Sequence, residues 1–176
     1  SYCQSDNFQQ FSALNICLCF YLEVKTAEAR LLKVCALLIE REHIMKMTTE
    51  EAFVKVLQRH GIEHAFGIIG SAMMPISDLF PKAGITFWDA AHECNAGMMA
   101  DGYTRAFGKL CMMAAQNGPA LTHFVTPVTT AHWNHTPLLL CTPQAAIKTS
   151  AQAGLQEVEQ LALFHAMVAH PETAPD

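Results

Sequence analysis

Charge is scarce in this chain. Lys and Arg number 11 and Asp and Glu 16 among 176 residues, 15% in all, where ordinary soluble proteins carry about 25%. With 51% apolar residues the chain is core-rich, which excludes a disordered polymer. One domain near this length buries roughly 70% of its unfolded surface, enough for one sizeable core but not for two full domains. Basic clusters are also missing, and the net charge is −5. Nucleic acid and anionic membrane surfaces therefore lose the electrostatic footprint they would require. Long hydrophobic runs are absent: "ICLCFYL" at 16–22 and "VCALLI" at 34–39 fall well short of the roughly 20 residues of a membrane span. Residues 11–22 approach a signal core, but no basic residue precedes them and no small-residue cleavage pattern follows, so a cytoplasmic location is expected. Paired cysteines are lacking as well. The seven cysteines are an odd number and, Cys17-x-Cys19 apart, stand singly, which reads as reduced, mostly buried thiols.

Nucleotide and metal motifs fail on spacing. No GxGxxG follows the first strand and no GxxxxGK[ST] occurs, which removes the usual dinucleotide and triphosphate cradles. His92-Glu93 begins like HExxH, but position 96 is Ala, so the second ligand of that motif is absent. His60 and His64 flank a glycine, and His132 and His135 flank a helix end; capping or surface roles suit both pairs better than metal. No metal ligand set is therefore assigned from the sequence. Cys94 beside Glu93 has no nameable partner that would make it a nucleophile.

What is present is a repeated alternation. Residues 1–44 form an extension whose Leu31, Leu32, Cys35 and Leu38 spacing predicts a helix. Met45 or Met47 reads as an original start, followed by a threonine cap and an acidic first turn. From 45 to 170 the pattern predicts one domain, with 171–176 a tail. A helix over about 48–60 leads to a strand "HAFGII", and Gly70-Ser71 opens the helix "AMMPISDLF". The strand "ITFWDA" precedes a helix that begins near Glu93 and ends at Gly108. "LCMMAA" is a third strand, and "QNGPA" turns into a helix reaching about Trp133. "TPLLLC" is a fourth strand, and "LQEVEQLALFHAMV" a last amphipathic helix. Continuously apolar strands alternating with helices predict an α/β fold: an open, mostly parallel sheet with helices on both faces, plus a helical N-terminal extension. Ligands of such sheets bind beyond the strands' carboxyl ends. Here those loops carry Gly70-Ser71, His92-Glu93 and Asn117-Gly118-Pro119.

Glu93 has two readings on its own. A carboxylate in a helix's first turn is favoured by the macrodipole and needs no further role; equally, a carboxylate at a strand–helix junction suits a ligand site. The wider pattern weighs on that choice. The stretches "HAFGIIGSAMMPISDLF", "HECNAGMMADGYTRAFGK", "QNGPALTHFVT" and "HWNHTPLLLCTPQAA" resemble the pyrimidine-binding domain of thiamine-diphosphate enzymes of the acetolactate synthase type, from about Met45 to about Val168. Within that family they are most similar to a branch acting on a small sulfonated aldehyde and phosphate. The resemblance implies that Glu93 is the glutamate that hydrogen-bonds N1′ of the cofactor's aminopyrimidine and so promotes loss of the C2 proton of the thiazolium. Such a role requires a carboxyl that shares a proton with a weakly basic ring nitrogen in a dry site. It also implies that Gly70 and Ser71, and the turn Asn117, Gly118 and Pro119, line the cofactor.

Several positions depart from the family pattern: Cys94-Asn95 after the glutamate, Phe107 before Gly108, Ala120 in the turn, His123 where the family has asparagine, and Pro127 inside a predicted helix. The family binds magnesium and diphosphate through a separate domain with a Gly-Asp-Gly motif. The only Asp-Gly here is Asp101-Gly102, within a predicted helix. The resemblance therefore implies thiamine diphosphate as cofactor, with Mg2+ held by a missing domain or partner chain. It further implies a diphosphate-binding domain or second subunit, a homo-oligomer in the complete enzyme, and no turnover by the isolated chain. Two other arrangements suit the same residues: a non-catalytic domain that keeps the fold, and the α-type subunit of a split decarboxylase.

Overall fold

The structure, a computed structural model, describes residues 16–21, 47–144, 152, 154–168 and 170–173. Helix α1 (Thr49–Arg59) starts at the expected cap. Glu51 N–H donates to Thr48 Oγ1 at 3.3 Å and Thr48 N–H donates to Glu51 Oε2 at 2.9 Å, so two of the free donors at the helix start are satisfied reciprocally. The four predicted strands are all present, as β2 (His64–Gly67), β3 (Thr86–Asp89), β4 (Met112–Ala114) and β5 (Leu139–Pro143). They lie parallel in the order β3-β2-β4-β5, with Phe66 opposite both Trp88 and Met113, and Met113 opposite Leu140.

Strand periodicity divides the core into two layers. Met113, Leu138 and Leu140 face one cluster with Ala96, Ala100, Phe124 and Val128. Met112, Ala114, Leu139 and Cys141 face the other, with Leu57, Met73, Ile76 and Phe80. The first layer is roofed by α4 (Glu93–Phe107), α5 (Pro119–Thr122) and α6 (Val125–Trp133), and the second by α1, α2 (Met74–Ser77) and α3 (Phe80–Ala83). Helices on both faces of a parallel sheet were the expectation, and they are found. Among the described residues no helix is long and apolar enough to cross a membrane.

Four details correct the sequence reading. Ile16–Tyr21, part of the extension expected to be helical, is a strand, β1, antiparallel to β5; the predicted helix through Leu31 and Leu38 lies outside the described residues. The segment read as a tail contributes to β6 (His170–Thr173), which pairs with β1. The helix expected to run to Trp133 is two helices, broken between Thr122 and Val125. Pro127 therefore sits in the first turn of α6, where a missing N–H would have no intrahelical partner in any case, and the expected cost of an interior proline does not arise. Finally, the last amphipathic helix shrinks to α7 (Gln160–Phe164). Gln156 lies at φ 58°, in the left-handed region, and breaks the helix upstream.

Candidate functional site

The chain leaves β3 at Asp89 and turns into α4 through His92, whose extended backbone (φ −155°, ψ 141°) makes it the helix N-cap. The Cys94 N–H donates to His92 Nδ1 at 3.1 Å, so an imidazole does the capping usually done by a short hydroxyl or carboxylate side chain. Glu93 is thereby fixed as the first helical residue and is only 9% exposed. Its partner comes from 30 residues downstream: the His123 Nδ1–H donates to Glu93 Oε2 at 2.8 Å. The His123 ring packs on that of His92, with centroids 4.3 Å apart and planes 31° from parallel. One ligating atom each from His92, Glu93 and His123 lies within 4.8 Å of the others.

The predicted glycine loops form a second group. A Cβ at Gly70 would run into the Gln116 side chain, and Gln116 Oε1 accepts the Ala72 N–H at 3.1 Å. The loop after β2 is thus fastened to the loop after β4, with Ser71 exposed beside it. Asn117 is buried, and its Nδ2–H donates to the Gln156 carbonyl at 3.1 Å. Gly118 has φ 66° and ψ −118°, backbone that a side chain resists, and its N–H donates to Gln160 Oε1 at 2.9 Å. Gln160 Nε2–H in turn reaches the Pro143 carbonyl at 3.0 Å. Pro119 opens α5 and is exposed.

Helix α5 joins the two groups, because Gly118 is its N-cap and His123 its C-cap. The six predicted site residues therefore gather at the carboxyl ends of the strands, with Glu93 meeting the turn through His123. Sequence reasoning did not assign roles to His123, Gln116 or Gln160. Only His123 left a signal, as the position where the family carries asparagine.

Other candidates fall elsewhere. His60 caps the end of α1, and His64 Nδ1 accepts the Trp88 indole N–H at 3.1 Å. His132 and His135 are exposed at the end of α6. Asp101, the aspartate of the Asp-Gly pair, is buried within α4 and not in a loop. Cys111, at the start of β4's layer, is buried; burial pushes its thiol up to about 11, partly opposed by a hydrogen bond with Thr104 and aided by the nearby Asp101 charge.

The donor set suits the aminopyrimidine half of thiamine diphosphate. Glu93 presents a largely dry carboxyl in which Oε2 is engaged by His123, while no hydrogen bond to Oε1 occurs among the described residues.

Residues 47–163 match the family described as thiamine pyrophosphate enzyme, N-terminal TPP binding domain. Sulfoacetaldehyde acetyltransferase of Roseovarius nubinhibens is 74% identical over 132 residues, covering 75% of this chain and 22% of that protein. A probable sulfoacetaldehyde acetyltransferase of Rhizobium meliloti is 70% identical over the same shares. The chain thus spans about a fifth of these relatives' length. Among solved structures, the thiamine diphosphate-dependent 4-hydroxybenzoylformate decarboxylase of Rhodococcus jostii RHA1 superposes with a TM-score of 0.65 at 22% identity, over 70% of this chain and 23% of that one, a likeness of fold. Because the family match spans residues 47–163, well over half of the chain, the chain belongs to the thiamine pyrophosphate enzymes, in their N-terminal TPP binding domain.

Proposed function

We propose that the chain is the pyrimidine-binding part of an enzyme that converts sulfoacetaldehyde and phosphate into acetyl phosphate and sulfite. Identities of 68–74% with three sulfoacetaldehyde acetyltransferases support the substrate class. The observation that carries the role of this part is Glu93, a carboxyl 9% exposed at the first turn of α4 whose Oε1 has no hydrogen bond among the described residues.

When bound, thiamine diphosphate supplies a nucleophilic carbon for the aldehyde carbonyl. Glu93 would accept or share the proton of the aminopyrimidine ring, and its burial keeps water from competing for that bond. Gly70 and Gly118 would let the backbone approach the ring, Ser71 and Pro119 would border it, and Asn117 holds the turn in shape through Gln156. Magnesium and the diphosphate belong to a second domain or subunit in this reading, and a homo-oligomer would bring the two halves together.

The test is complementation. Mixed with thiamine diphosphate, magnesium, sulfoacetaldehyde and phosphate, the chain alone should form no acetyl phosphate. Joined to the remaining four-fifths of the Roseovarius relative, it should do so. A joined protein that binds the cofactor yet makes no acetyl phosphate would refute the substrate assignment.

A further inference from the structure

We propose that His92, Glu93 and His123 form a binding site for a zinc-class divalent cation. No spacing in the sequence encodes it, because the third ligand arrives through the fold: α5 swings His123 back over the N-terminus of α4. Two imidazoles and one carboxylate are the ligand types of open three-residue zinc sites, which leave a fourth position for water. Zinc–ligand bonds of about 2.0–2.2 Å put tetrahedral ligand atoms roughly 3.3 Å apart. The three atoms here already lie within 4.8 Å of one another. Closing the remainder falls to the two imidazoles: both histidines are exposed, while the Glu93 side chain is 11% exposed and held at the helix start.

The exchange of bonds is explicit. If His123 ligates through Nδ1, the proton it donates to Glu93 leaves that nitrogen, Nε2 takes one up from solvent, and the neutral ring binds zinc in its other tautomer with no net proton released. His92 presently accepts the Cys94 N–H at Nδ1. Ligation requires it to surrender that cap bond, a loss of about 1 kcal/mol. The helix N-terminus disfavours a cation by a similar amount, and the Glu93 charge opposes that effect. Both costs are small beside the coordination of a transition metal by three protein ligands. A bound ion would engage the same carboxyl as the proposed cofactor contact, but its binding is measured without cofactor and does not depend on that reading.

The experiment is a Zn2+ titration of the full 176-residue chain against a chromophoric chelator. One equivalent should bind, and His123→Ala and His92→Ala should each weaken binding at least about tenfold, since even groups that merely orient a ligand cost 10–100-fold when removed. His132→Ala should leave it unchanged. Far-UV circular dichroism checks that each variant is folded. For any variant that is not, the ring C–H resonances of His92 and His123 in the unaltered chain should shift on adding Zn2+. No binding, binding that survives His123→Ala in a folded variant (as expected for zinc on cysteines), or unmoved ring resonances would each overturn the site.

Discussion

Helix α4 carries two buried acids with opposite situations. Glu93, Gly97 and Asp101 follow one another at four-residue intervals and so share a face. Glu93 is 9% exposed and Asp101 4%, so burial does not distinguish them. Position along the helix does. Glu93 stands at the strand carboxyl ends, where the helix N–H groups are free and a ring from α5 reaches it. Asp101 lies two turns on; its Oδ2 meets the exposed Arg105 at 3.4 Å, while its Oδ1 is buried with no hydrogen-bond partner among the described residues. The lesson is that a buried carboxylate becomes a chemical group only where the fold leaves it something to meet.

The sharpest way to break this contrast is to neutralise each acid. In the completed enzyme, Glu93→Gln should slow hydrogen–deuterium exchange at cofactor C2 by at least about 100-fold, the lower range for general acid–base assistance. Asp101→Asn should leave it within about twofold; equal slowing by both would erase the distinction. The packed half should also show its own pH signature. The Cys111 thiol, raised from 9.0 to about 11 by burial, binds its proton more tightly in the folded than in the unfolded chain. Stability is then full below about pH 9 and falls as pH rises through 11, by about 2–3 kcal/mol. Urea unfolding at both pH values should show this loss, and Cys111→Ala should remove that part of it.

A third change tests the residue between the acids. A Cβ at Gly97 would strike the Pro127 ring and press on Phe124, both on the facing segment. Gly97→Ala should therefore cost about 1–3 kcal/mol of stability through overpacking, read as a lower urea midpoint. The smallest effect belongs to Arg105, whose side chain is 58% exposed. Arg105→Ala should change stability by less than about 1 kcal/mol, as exposed ion pairs do. A larger loss would mean that Asp101 depends on that partner and is less like a packing residue than its surroundings indicate.

The legible parts of this fold were those with local causes. The four parallel strands were visible because "HAFGII", "ITFWDA", "LCMMAA" and "TPLLLC" are apolar runs between turn residues, and the Thr48 cap because its partner is three residues away. Glu93 was visible as a carboxylate at a strand–helix junction. The His123 contact was not, since nothing local to either residue signals a bond across 30 positions. Pro127 looked like a flaw because the break at 123–124 that moves it into a first turn is made by Phe124 packing into the core at 0% exposure. The last helix misled for a related reason. Gln160 reads as polar surface, yet it is 4% exposed and turned inward to hold Gly118 and Pro143.

That glutamine clasp bears on the order in which the molecule can assemble. Asn117 and Gly118 find their partners 39 and 42 residues later in the chain, beyond β5. Closing so long a loop costs more entropy than forming the neighbouring turns. The turn at 117–118 therefore acquires its fixed partners only after β5 has been laid down and the segment beyond it has docked. A nascent chain stopped at Pro143 would have the four parallel strands and Glu93 in place and still lack the fastening of its own binding loop.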